Sequence, residues 1–154
     1  MKFFAAAGFL ALAASACGGG ASPSATSPSA STTLTGTWTG SVSDSTGSMM
    51  GAGLTPAMMG NTSWTIAQSG STFSGTMRFA GYMGGSATIS GTMSGHTGTF
   101  TMTMPAGSMM TAGCTATGSG TFDMDDAMTQ FHGKYSGANT CSGPFDRGDM
   151  LMHR

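Results

Sequence analysis

From Leu34 onward, large apolar residues recur at every second position. Trp38, Gly40 and Val42 alternate with Thr37, Thr39 and Ser41, and Phe100, Met102 and Met104 alternate with Thr99, Thr101 and Thr103. The same beat places Trp64 with Ile66, Met77 with Phe79, Ile89 with Met93, Phe122 with Met124, Phe131 with Tyr135 and Met150 with Met152, each pair on one face. Strict alternation with Ser and Thr on the opposite face predicts half-buried antiparallel strands. Ser69-Gly70-Ser71, Met83-Gly84-Gly85, Ser94-Gly95-His96 and Asp125-Asp126 interrupt it with turn chemistry. Ser74-Gly75-Thr76-Met77 returns as Ser90-Gly91-Thr92-Met93, and more loosely as Ser119-Gly120-Thr121-Phe122. The first two copies are separated by one short hairpin's length. Residues 34–154 are therefore expected to form an all-β domain of about eight strands, each paired with the next. Closure into an antiparallel up-and-down β-barrel would remove exposed edges, and a β-sandwich is the alternative. Eight strands enclose a space that side chains fill or that holds one small ligand.

The core-forming material is unusual. After residue 17 the branched aliphatics are Val42, Leu34, Leu54, Leu151, Ile66 and Ile89, so Met and Phe must supply most of the interior. Thioether chains fill irregular space but keep many rotamers, which specifies shape loosely. Cys114 and Cys141 are 27 positions apart. A disulfide between them would contribute about 3–4 kcal/mol in the chain-entropy model.

The chain's start predicts export. Lys2 precedes an apolar run from Phe3 to Ala14 that is broken only by Gly8, and small residues follow. That is the layout of a secretory signal, and the run is too short to span a bilayer. Ala14-Ser15-Ala16-Cys17 resembles a bacterial lipobox, with Ala14 where Leu is usual. The resemblance implies a lipoprotein signal peptide over 1–16 and a diacylglycerol-modified, acylated Cys17 at the mature N-terminus. Membrane attachment would then run through that lipid. Gly18 rather than Asp after the Cys implies export to the outer membrane by analogy with enterobacterial lipoproteins. Residues 18–33 are Gly, Ala, Ser, Pro and Thr only, so 17–33 is expected to be a lipidated, disordered tether with nothing to bury. With Cys17 taken by lipid, Cys114 and Cys141 are left as a pair in a compartment that permits disulfides.

Gly36-Thr37-Trp38 is similar to the Gly-x-Trp opening of lipocalins and avidins. Gln68-Ser69-Gly70, Lys134-Tyr135-Ser136-Gly137, Cys141-Ser142-Gly143 and the closing stretch Gly148 to Arg154 extend the likeness. Together they resemble small bacterial lipoproteins that carry a lipocalin-like barrel. The resemblance implies a fold and an address, with no activity and no catalytic residues attached.

Charge and motifs narrow the function. Five basic residues stand against six acidic ones for a net charge of −1, with no basic stripe for nucleic acid or anionic lipid. All six acids are Asp, which excludes mechanisms that need Glu. No HExxH, Cys-x-x-Cys, GxSxG or phosphate-cradling glycine motif is present, and the chain is not expected to be an enzyme. The 43–60 segment lies where lipocalins carry a lid. Its Met49, Met50, Met58 and Met59, with Trp38 and Trp64 below, would suit a small apolar ligand. Thioethers also select Cu(I), and Met150, Met152 and His153 combine two with an imidazole. Met109-Met110 is a third doublet. Asp123, Asp125 and Asp126 fall short of a calcium loop and suit a solvated hairpin. Three classes stand: a carrier of a small apolar ligand, a Met-rich Cu(I)-binding protein, and a structural or partner-binding envelope protein with a filled barrel. No resident cofactor is expected outside the Cu(I) alternative.

Overall fold

The computed structural model describes residues 33–44, 61–80, 85–108 and 112–154. Eight strands follow one another in the chain: β1 (Gly36–Asp44), β2 (Asn61–Ser69), β3 (Thr72–Phe79), β4 (Ser86–Ser94), β5 (Thr97–Met104), β6 (Ala116–Met124), β7 (Gln130–Asn139) and β8 (Gly143–His153). Each pairs antiparallel with the next, and β8 returns to β1 through Thr39↔His153, Gly40↔Met152 and Val42↔Met150. The sheet is a closed barrel rather than a sandwich, and each of the eight described strands is paired on both sides.

Period-two patterning sets which side is in. On β5, Phe100, Met102 and Met104 are buried while Thr99, Thr101 and Thr103 are exposed. A slip of one residue would exchange those two sets, so the apolar face determines the register. Two tight hairpins help to set it. Gly70 and Gly95, with φ of +60° and +59°, open the two-residue β2–β3 and β4–β5 turns. A positive φ at the first turn position matches the right-handed twist of the strands and favours glycine there. The register of β7 on β8 shifts between Tyr135 and Gly137, and Asp146 and Arg147 are both exposed in succession beside it. This is the behaviour of a bulge.

Among the described residues the buried interior holds eight Met and six Phe against four branched aliphatics, in line with the composition. Rings bridge the middle of the barrel. Trp38 and Phe131 lie 5.0 Å apart, Phe131 and Phe122 5.3 Å, Phe122 and Phe73 5.9 Å, and Trp64 sits 5.6 Å from both Phe100 and Phe131. Edge-to-face and tilted contacts of this kind add to the stabilisation from area burial. Leu34, Met128 and the C-terminal Arg154 close the end with the tight turns. Trp38 Nε1 donates to Leu34 O (2.8 Å), and the Arg154 guanidinium lies 4.8 Å over the Trp38 ring while donating to Thr33 O. The other end holds the buried polar residues Asp44, Thr62 and Asn139. Cys114 and Cys141 are joined there with a Cα–Cα separation of 5.7 Å, which ties the start of β6 to the β7–β8 turn.

Candidate functional site

Trp38 and Trp64 belong to the packed middle of the barrel. Trp38 and Met152 are 0% exposed and Trp64 is 1% exposed, so all three are enclosed by the barrel. The two indoles act here as core, Trp38 against Phe131 and Trp64 against Phe100 and Phe131. Trp64 Nε1 is buried without a hydrogen-bond partner. Its neighbours Phe100 and Phe131 are both edge-on to the indole, and π faces are weak acceptors at best. Met49, Met50, Met58 and Met59, which the same ligand hypothesis required, lie outside the described residues, as do Met109, Met110 and Cys17.

Strand alternation separates the proposed copper ligands. Met150 and Met152 point into the barrel at 1% and 0% exposure, whereas His153, the last residue of β8, is exposed. Two inward thioethers and an outward imidazole on one strand stand on opposite sides of the wall, so the three do not converge. Among the described residues no group of three or more His, Cys or Asp side chains is placed to hold a metal ion. The Asp cluster resolves as turn structure. The Asp125 carboxylate accepts from Thr129 N (2.7 Å), Thr129 Oγ1 (2.8 Å) and Gln130 N (2.8 Å), and its pKa is lowered chiefly by the Gln130 amide. Those donors consume the oxygens that a cation would use.

Among the described residues, open space lies on the outside of the barrel. A concavity of about 1110 Å³ runs across the outer wall from β3 to β8. Register lines its residues up in rows. One row reads Thr72, Thr92, Thr99, Thr121, Lys134 and Asp149 across successive strands. A second, two residues along each strand, reads Ser90, Thr101, Ser119 and Ser136. Between the rows runs an inward-facing line, Phe73, Gly91, Phe100, Gly120, Tyr135 and Gly148, in which a ring alternates with glycine. That alternation is structural. A Cβ at Gly120 would lie 2.7 Å from two Phe100 ring atoms and closer still to Lys134 O, and a Cβ at Gly148 would overlap the Tyr135 ring. Without side chains there, the wall can draw in over its own aromatics, and the exterior becomes concave at that waist.

The rows are hydroxyl-rich and nearly neutral. Ser90 and Thr101 hydroxyls are 3.1 Å apart, as are those of Thr92 and Thr99. Charges gather at the β7–β8 end, where Lys134, Asp146, Arg147 and Asp149 line the trough. His132 Nε2 lies 2.7 Å from Asp149 Oδ1 beside it. The Tyr135 phenol beneath donates to Ser43 O (2.7 Å), and burial pushes its pKa up, with the Asp44 and Asp149 carboxylates adding to the shift. The described wall presents Thr, Ser and charges, with Leu151 as its exposed large hydrophobic.

No residue of this trough stood out in the sequence as a binding group: Thr99 and Thr101 read as the outer face of a strand, and Phe100 and Tyr135 as inward residues. Part of its signal was present as Gly91 and Gly120 in the Ser-Gly-Thr repeats, but only pairing shows that these two align with each other and with Gly148. The molecule is thus an all-β protein with a closed eight-stranded antiparallel barrel, an architecture compatible with a lipocalin-like barrel. No protein-family model matches the chain, and neither a curated protein nor a solved structure matches it.

Proposed function

We propose that this chain is a lipid-anchored module of the cell envelope, held in the outer membrane through Cys17, whose barrel binds or interacts from its outer surface without catalysing a reaction. The observation that carries the reading is the packed interior. Trp38, Trp64 and Met152 are buried inside the barrel, and ring contacts run from Phe73 through Phe122 and Phe131 to Trp38 without a break. A carrier of small apolar ligands needs a cavity lined by such residues, whereas an interaction module needs only a rigid frame and an accessible wall. The anchor reading is supported by the Ala14-Ser15-Ala16-Cys17 sequence and the Gly/Ser/Pro/Thr composition that follows it. Such a tether would leave the barrel free to face its partner at a distance from the bilayer.

Two measurements test the two halves. The Cys17→Ser protein should leave the membrane fraction and be recovered in soluble form after signal removal, and retention on membranes would refute the anchor. A fluorescent fatty acid titrated into the full chain should show no saturable binding quenched by the core indoles. Stoichiometric uptake with a shift in tryptophan emission would show a hollow barrel and overturn the outer-surface reading.

A further inference from the structure

The outer trough has the chemistry to take a particular class of ligand. From the hydroxyl rows, the side-chain-free floor and the closed sheet, we infer that it is a binding site for an extended, neutral β-1,4-linked glycan strand. The inference deepens the outer-surface reading and rests on it. A β-linked pyranose chain is a ribbon with hydroxyls along both edges and C–H groups on both faces. The trough has the complementary section: a hydroxyl row along each side and, between them, a floor of backbone over Phe73, Phe100 and Tyr135 with Gly91, Gly120 and Gly148 interleaved. Ser and Thr hydroxyls both donate and accept, so each can serve either role that a sugar hydroxyl leaves open. The rows cross the strands and therefore repeat at the ~4.8 Å strand spacing, close to the advance of one ring along such a ribbon.

Other occupants fit less well. An extended peptide docks on a sheet through an unpaired edge, and this barrel has none. Nucleic acid needs a run of cations, but here Lys134 and Arg147 are interleaved with Asp146 and Asp149 at one end. An apolar ligand or lipid surface needs exposed large hydrophobics, and Leu151 is outside the trough. Lys134, Arg147, Asp146 and Asp149 would fix which end of the strand enters first, because they break the symmetry of the two rows.

The test uses the full Cys17→Ser chain, isotope-labelled, titrated with chitohexaose and with cellohexaose and followed by amide chemical-shift changes. Saturable changes centred on β4, β5 and β6, extending along the trough and absent from β1 and β2, are expected with at least one of the two sugars. Thr99→Val with Thr101→Val and Thr121→Val keeps the shape and β-propensity of each exposed position while deleting hydroxyls. This variant should melt with the parent and bind about tenfold more weakly. Thr37→Val with Thr65→Val, exposed on β1 and β2 across the barrel, should bind as the parent does. The inference is overturned by the absence of shift changes with both sugars at millimolar concentration. Equal binding by the three-hydroxyl variant, or shifts mapping to β1 and β2, overturns it as well. Any of these results leaves the packed-interior reading standing, since that is judged by the fatty-acid titration.

Discussion

Gly148→Ala is the sharpest probe of how this wall is built. The methyl it adds would fall on three ring atoms of Tyr135, Cδ2, Cε2 and Cζ, with no backbone atom among its nearest neighbours. Restoring an ordinary contact of 3.4–4 Å requires the ring to retreat by about 1 Å. The ring has nowhere to go. Its hydroxyl is tied to Ser43 O at 2.7 Å, and Phe145 meets it edge-on with centroids 6.1 Å apart. Overpacking of this kind costs about 1–3 kcal/mol, and losing the Tyr135 hydrogen bond adds about 1 kcal/mol. A total of about 2–4 kcal/mol lowers the melting temperature of a domain this size by roughly 8–16 °C. Because the collision is with a side chain, Tyr135→Leu should relieve it. The double variant is expected to be more stable than the sum of the single losses by about 1–2 kcal/mol. Gly75→Ala is the control, since its added methyl would meet Thr65 O, Thr65 C and Ile66 Cα, all backbone, which no side-chain change can move. Thermal melts by circular dichroism read all four proteins. A Gly148→Ala melt within about 2 °C of the parent, or strict additivity with Tyr135→Leu, would refute the account of rings seated on glycines.

Two further predictions concern the ends of the barrel. Replacing Cys114 and Cys141 together by Ala opens a 27-residue loop and should cost about 3–4 kcal/mol, read as a fall in melting temperature that reducing agent reproduces in the parent; an unchanged melt would show that the bridge adds nothing to the closed sheet. At the opposite end, the pKa of Asp125 is depressed below its ordinary 3.8 by the Gln130 amide and the Thr129 hydroxyl. Its contribution is therefore complete above the unfolded pKa and is lost as pH falls through the lower folded value. Asp125→Ala should flatten that acid limb and speed amide exchange at Thr129 and Gln130; an identical pH profile would remove Asp125 from the account.

Much of the architecture was legible along the chain. The large-and-hydroxyl beat identified Trp38, Ile66, Met77, Ile89, Phe100, Met102, Phe122, Phe131 and Met150 as inward residues, and all of them are buried. Gly70 and Gly95 marked two turns that form as tight hairpins. The site was much less legible. Trp38 and Trp64 read as ligand contacts because aromatic residues line pockets and cores alike, and one-dimensional pattern does not report whether the enclosed space is occupied. Met150, Met152 and His153 looked like neighbours because they are adjacent in sequence, but the alternation that made β8 a strand sends His153 to the other side of the wall.

The sequence by itself determined local facts: which side of each strand is apolar, where the chain turns, and that Met and Phe must fill the interior. These follow from period-two geometry and from composition, each confined to a few neighbouring residues. Tertiary structure decided what depends on several strands at once. Pairing β8 with β1 closed the sheet, filled the axis with rings from six strands, and brought Gly91, Gly120 and Gly148 into one line. A concave outer wall arises only where side chains are missing at the same level on successive strands, and level is a property of register between segments far apart in the chain.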